Sequence, residues 1–370
     1  MRYFLLGIIA LGATTAPACM WDDDTLSAEA RGLPHVVDAI VGRIDVNPPE
    51  YYTLRLELSQ KDIVRDPSDW QAYDNIAVAL DKLGRGREGL DWLDKKRVAM
   101  NDAALRPTKD PMNDPWYRYH ANRGTLLIHL WFAKGRPDDR ALIDKGLAEL
   151  RQALDINPDA HFGRERVQIK VVEILSARDP DGPHSRAEDD WAAFVKEHGS
   201  EKARVGLLGI MALGAGWNSP DLIALLASTT DRHDGHLREL AMFRIKDLDS
   251  TGHKPILSVA HLTRILTGYA PSNIELLEKQ YRSLVSSGND YRKNRNEFML
   301  AKVNVGLHPD NDPGFWDGYK ETPRPDIARM EPLVPVSGLV SYGSLAVAAV
   351  AGLAVVAALV LFVRGRLVTR

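Results

Sequence analysis

The chain has 370 residues, of which 26% are charged and 45% apolar, enough to bury a substantial core and too apolar for a disordered protein. Its formal net charge is −3, and most of its Lys and Arg are scattered among acids, which excludes the clustered positive face that nucleic-acid backbones require. One cysteine excludes an intrachain disulfide framework, so stability rests on packing.

Met1-Arg2 opens an apolar run from Tyr3 to about Ala13 that ends in Ala16-Pro17-Ala18, a small-x-small cleavage pattern. The run is short for a membrane span, so residues 1–18 read as an export signal. Cys19 stands directly after it. The residues before it make a poor lipoprotein box, because no Leu-like residue stands three positions back, and a passive thiol is the reading. Residues 19–65 read as an N-terminal helical cap. Within them Asp22-Asp23-Asp24 reads as a solvated acidic loop, Pro34 starts a helix through Val36, Val37, Ile40 and Val41, and Tyr51 to Val64 forms a second, with Leu54, Leu56 and Leu58 near its apolar side.

Residues 66–178 carry the strongest pattern. Tyr73, Ile76, Ala77 and Leu80 fall on one face at helical spacing, with Asp69 or Ser68 as the cap before them. Gly84 falls where this helix ends, and Gly89 and Leu93 are the small and bulky positions of the next. A second pair follows: a helix around Asn122 to Lys134 carrying Leu126, Leu127, Leu130 and Trp131, then one with Gly146, Leu150, Ala153, Leu154 and the terminal Pro158. Val167 and Val171 suit the first helix of a third pair.

This alternation of bulky and small positions resembles the tetratricopeptide repeat. Lys96, in place of the family's late alanine, and Asn101, in place of its closing proline, depart from the pattern. The resemblance implies an all-α fold of helical hairpins stacked as an α-solenoid, in which the matching residues are structural and a concave surface takes a peptide or helix. Asn75 and Lys82 are the groove-facing candidates for partner binding on the first helix.

Asp179-Pro180-Asp181-Gly182-Pro183 marks a break. Residues 179–307 read as a helical region of degenerate repeats, with helices expected over Val205–Leu213, from Ser219-Pro220 onward, and over Leu237–Leu248, Ile256–Leu266, Asn273–Val285 and Tyr291–Val305. Ser185 with Glu188 and Ser272 with Glu275 match capping boxes. Residues 308–338, rich in proline, read as a stalk. Phe315, Trp316 and Tyr319 within it are expected to dock back on the body.

Residues 339–363 contain no charge and are long enough to cross a hydrocarbon core of about 30 Å as one transmembrane helix. Residues 364–370, with Arg364, Arg366 and Arg370, then form a cytoplasmic basic tail by the positive-inside bias, which leaves the body outside the cytoplasm. Ser344, Ala348 and Gly352 recur on one face of the span, a spacing that permits self-association, although simple anchorage suffices to explain it.

Candidate chemistry is thin. His233 and His236 have ligand-like spacing, but Asp234-Gly235 between them reads as a turn. Asp310, Asp312 and Glu321 echo the first, third and twelfth positions of a calcium loop that lacks its central glycine. No phosphate-binding glycine loop, zinc-protease helix or serine elbow is present, so no catalytic residue, cofactor or metal ligand is assigned. The reading is a membrane-tethered, extracytoplasmic helical-repeat scaffold for protein–protein interaction and not an enzyme. The alternative is an exported hydrolase or metal-binding protein with its site in 179–307.

Overall fold

The computed structural model describes residues 20–25, 32–108, 114–158, 163–178, 182, 185–213, 216–231, 235–266 and 273–325. The expected signal (1–18), Cys19, His233, most of the 179–183 break, and the span and tail (339–370) lie outside them. Contacts divide the chain into residues 1–324 and 325–370, and the description concerns the first. Among the described residues secondary structure is entirely helical, so the all-α class stands, and no helix among them is long and apolar enough to cross a membrane.

Residues 23–25 are helical, and among the described residues α1 (Val36–Val41) and α2 (Pro49–Arg65) then precede the repeat-like stretch. Then come α3 (Trp70–Lys82) with α4 (Gly86–Asp102), and α5 (Pro115–Ala133) with α6 (Ala141–Ile156). Their ends follow from side-chain chemistry. Asp69 caps α3 by accepting from Ala72 N at 3.1 Å. Asp114 caps α5 by accepting from Trp116 N and Tyr117 N at 2.8 and 2.9 Å, with Pro115 supplying a first residue that has no N–H to satisfy. Gly84 leaves α3 at φ 75°, the left-handed turn that glycine makes without a Cβ penalty.

The diagnostic apolar residues do pack inward. Tyr73, Ile76, Ala77, Leu80, Leu93, Leu126, Leu150 and Ala153 are all buried. Glycine makes the closest helix approaches: a Cβ on Gly89 would lie 3.1 Å from Ala77 O, and one on Gly124 would lie 2.8 Å from Gly146 O.

The remaining helices are α7 (Arg164–Leu175), α8 (Ala187–His198), α9 (Ser200–Ala212), α10 (Pro220–Ser228), α11 (Gly235–Ser250), α12 (Val259–Ile265) and α13 (Ile274–Val303). Several ends differ from expectation. Ser185 Oγ accepts from Ala187 N, but Glu188 turns to Arg264 instead of completing a capping box. Asn273 caps α13 by accepting from Leu276 N. Helix α13 also runs unbroken through residues 286–290, where two helices were expected. Gly288 is there for close approach, since a Cβ on it would meet Arg43 N at 3.3 Å and Val41 O at 3.4 Å, at the end of α1.

Successive packing runs α2, α3, α4, α5, α6, α7, α9, α10, α11, α13, and α13 then packs on α2, so the circuit of contacts closes on itself. Helix α2, expected to cover one end of a stack, therefore has a neighbour on each side, while α1 packs on α9, α10, α11 and α13. The buried face of α2 is Tyr51, Tyr52, Arg55, Leu56 and Ser59, with Leu54 and Leu58 only half-buried.

The proline-rich segment expected to form a stalk from residue 308 is part of the body through Arg324. Phe315 is fully buried in a cluster with Tyr51, Leu56, Ile76, Met299 and Val303, and the Trp316 ring stacks on Phe298 with centroids 5.9 Å apart. Polar ties continue the seam: Lys302 donates to Gly314 O at 3.1 Å, Arg43 pairs with Glu321 at 3.0 Å, and Arg324 pairs with Asp38 at 3.0 Å. Three aromatic rings bury enough surface to hold a chain that proline keeps from forming a helix.

Candidate functional site

The surface expected to take a partner is filled from within. Residues 20–25 lie against α2, α3, α5 and α7, and what was read as a solvated acidic loop is largely buried.

Two asparagines hold this segment by its main chain. Trp21 N donates to Asn122 Oδ1, and Asn122 Nδ2 returns a bond to Trp21 O at 3.0 Å. Asp23 N donates to Asn75 Oδ1 at 3.1 Å, and Asn75 Nδ2 donates to Asp23 Oδ2 at 2.7 Å. Asn75 is on α3 and Asn122 on α5, so successive helix pairs each contribute one clamp. The Asn122 amide is fixed in turn by donating to Asp74 Oδ1 at 3.0 Å. Asp74 accepts from Lys96 Nζ, 2.7 Å from each of its oxygens, in an ion pair with both side chains fully buried. Burial pushes the Asp74 carboxyl up and the Lys96 ammonium down, and their mutual attraction opposes both shifts.

Trp21, 1% exposed, sits in a cage. The Arg118 and Arg164 guanidiniums lie 5.3 and 5.5 Å from its ring centre, and Tyr117 meets it edge-on at 5.8 Å. Burial, with the neighbouring buried Glu165 carboxylate, pushes the Tyr117 hydroxyl well above its ordinary range. Met20 enters an adjoining apolar cluster with Val78, Leu93, Met100 and Leu126.

The acids of the segment converge on Arg55. Its Nη1 donates to Asp22 Oδ2 at 2.7 Å and to Asp24 Oδ2 at 2.9 Å, its Nη2 reaches Asp24 Oδ1 at 3.0 Å, and Nε and Nη2 grip Asp310. Tyr51 OH and Asn47 Nδ2 also donate to Asp24. Three carboxylates on one guanidinium leave excess negative charge, and their proton affinities separate accordingly. Burial, then the neighbouring Asp24, pushes the Asp22 carboxyl up to about 7. Burial raises Asp310 too, but bonds from His308 and Arg55 outweigh it and hold that carboxyl at about 2. At Asp24 burial is likewise outweighed by Arg55, and its carboxyl lies below the ordinary value.

Of the two candidate groove residues, Asn75 touches the segment directly. Lys82 borders a void of about 20 Å³ beside Met20, Asp22 and Asp24, but its ammonium donates to Leu213 O at 3.2 Å. The calcium-like spacing dissolves: Asp310 goes to Arg55, Asp312 accepts from Gly314 N at 3.0 Å, and Glu321 pairs with Arg43. Three acids on three separate partners do not converge on an ion. Among the described residues no group of His, Cys, Asp or Glu is arranged to hold a metal.

Comparison with protein-family models, curated proteins and solved structures found no match. The geometry therefore stands alone.

In the region of the alternative reading, a polar cleft of about 740 Å³ is bordered by Glu188, Trp191, Arg204, Ser228, Arg238 and Arg264. Its polar groups bond one another. Ser228 Oγ accepts from Trp191 Nε1 at 2.8 Å, and Arg238 donates to the carbonyls of Ser228, Thr230 and Ile265. Ser258, His261 and Glu188 fall in a line, with Ser258 Oγ 3.1 Å from His261 Nδ1 and His261 Nε2 3.6 Å from Glu188. Ser258 Oγ also accepts from His261 N as the cap of α12, and neither Ser258 nor His261 borders the cleft. That line is a helix cap with a buried histidine behind it.

Proposed function

We propose that the chain is a helical-repeat scaffold that holds polypeptide partners, tethered outside the cytoplasm by the span expected at 339–363. The single observation behind this reading is the pair of clamps: Asn75 and Asn122, on successive helix pairs, each exchange hydrogen bonds with the segment at 20–25, and each accepts from one of its main-chain N–H groups. Side chains that grip peptide N–H and C=O groups suit a polypeptide, not a small metabolite. The repeat-like spacing and the closely packed glycines supply the rigid frame that such clamps need. The charge-free run at 339–363 and the arginines after it supply the tether and its orientation.

The test is cross-linking in intact membranes followed by capture of the full chain, with Gly89→Val as comparison. A Cβ at Gly89 already lies 3.1 Å from Ala77 O and 3.3 Å from Leu126, so valine forces α3, α4 and α5 apart. Partners present with the unaltered chain should be lost with the variant. Recovery of the same partners after the frame is broken would remove the helix pairs as the binding element.

A further inference from the structure

The segment at 20–25 has the features of a ligand more than those of a core strand. Asp23 to Thr25 form a helical turn capped by Asp22, which accepts from Thr25 N at 3.0 Å, and the segment's partners in the body are 23 to 101 positions away in sequence: Asn47, Tyr51, Arg55, Asn75 and Asn122, with Asp310 sharing Arg55. Its contacts are the kinds that select a sequence: a caged aromatic ring, main-chain clamps and a carboxylate-binding guanidinium. One edge is open, since Asp24 keeps 29% of its side-chain exposure and Asp23 is half-buried.

We propose that this groove is a peptide site selective for Trp-Asp-x-Asp, and that residues 21–24 are its built-in, exchangeable occupant. This deepens the scaffold reading and rests on it. Trp fills the space between Arg118 and Arg164. The first and last acids meet Arg55. The middle residue is held by its main-chain N–H on Asn75, and its side chain meets only the amide of that same residue, so the position tolerates other side chains. The groove recognises a short acidic-aromatic motif whose acids lie on and just before a helical turn begun at Asp23. A partner carrying the motif must displace the tethered copy, whose high effective concentration keeps the site shut to weak competitors.

The test uses the full chain in detergent and a fluorescent Met-Trp-Asp-Asp-Asp-Thr peptide, read by anisotropy. Trp21→Ala weakens the built-in competitor without altering the groove, so the variant should bind the peptide roughly tenfold more tightly than the unaltered chain. A peptide with Ala for Trp should not bind, and Trp-Asp-Ala-Asp should bind as well as the parent. Asn122→Ala added to Trp21→Ala should abolish the gain. If Trp21→Ala does not fold, Asp24→Ala, which removes the occupant's contacts with Arg55 and Tyr51 at the open edge, replaces it and should shift affinity in the same direction. Folded variants that bind no peptide, or bind no better than the unaltered chain, would overturn the proposal. That result would leave the capture of partners by the intact chain untouched, so the two failures are separable.

Discussion

Arg55 grips Asp310 with two parallel hydrogen bonds, Nε to Oδ2 at 2.7 Å and Nη2 to Oδ1 at 2.6 Å, joining α2 to the turn that follows α13. This bidentate pair closes the helical circuit, and the same guanidinium holds Asp22 and Asp24. Arg55→Met removes the guanidinium that all three carboxylates share and leaves them buried. It should cost about 3–5 kcal/mol, the range for breaking a buried pair on one side. Urea denaturation of the purified body measures it. A loss below about 1 kcal/mol would mean that the carboxylates find protons or water instead.

Lys96 explains one departure from the repeat pattern. It stands at a position that the pattern fills with alanine, and its ammonium reaches across to Asp74 on α3, which in turn sets the Asn122 clamp. Lys96→Met should destabilise by about 3–5 kcal/mol, because Asp74 is left uncompensated. Adding Asp74→Leu should recover most of that loss, since replacing both partners by apolar groups removes the desolvation penalty. A double variant no more stable than the single one would show that Asp74 is held by something other than Lys96.

The two helical pairs were legible in sequence because local spacing encodes them: Tyr73, Ile76, Ala77 and Leu80 announce a buried face without reference to the rest of the chain. What fills the groove was not legible in this way. Three consecutive aspartates next to Trp21 read locally as solvent-exposed, and their burial depends on Arg55 and Asn122, 33 and 101 positions away from Asp22 and Trp21. A signal did exist. Arg55 sits between Tyr51, Tyr52, Leu56 and Ser59 on the inward face of α2, and Asp74 lies beside Tyr73 and Ile76. A charge on an apolar face implies a buried partner elsewhere, and the unmatched aspartates were the available ones. The gap expected at 286–290 does not occur, because Gly288, though a poor helix former, sits there for close approach to α1.

Stability should fall as pH rises from about 4 toward 7. The Asp22 carboxyl, ordinarily at 3.8, is raised to about 7, so between these values the native chain keeps a proton that the unfolded chain has lost. Asp221, raised by burial to about 6 although Ile256 N and Leu257 N donate to it, acts in the same direction over a narrower window. Asp310 acts oppositely: at about 2 it stays ionised where its unfolded counterpart is protonated, so that stability is lost as pH falls from 3.8 through 2. The denaturation midpoint should therefore be highest near about pH 4 and decline toward neutrality. Asp22→Asn should flatten the decline. An unchanged slope in that variant would place the proton on another group.

The tightest backbone approach is between α5 and α6. A Cβ on Gly124 would stand 2.8 Å from Gly146 O and 2.9 Å from Leu150 Cγ, and one on Gly146 would stand 2.9 Å from Gly124 O. Backbone on both sides leaves no flexible side chain to give way, so the helices must separate to admit a methyl group. Helix propensity argues the other way, since alanine in a helix interior is favoured over glycine by about 1 kcal/mol. Overpacking of about 1–3 kcal/mol outweighs that gain, and Gly124→Ala should be destabilising on balance. Because Asn122 lies one half-turn from Gly124 on the same helix, the displacement should also loosen the clamp on Trp21. Hydrogen exchange of the Trp21 amide, compared between the unaltered chain and Gly124→Ala, reads this directly. Faster exchange there, together with a lower denaturation midpoint, is the expected outcome, and a stabilised variant with unchanged Trp21 protection would show that α5 and α6 have room to spare.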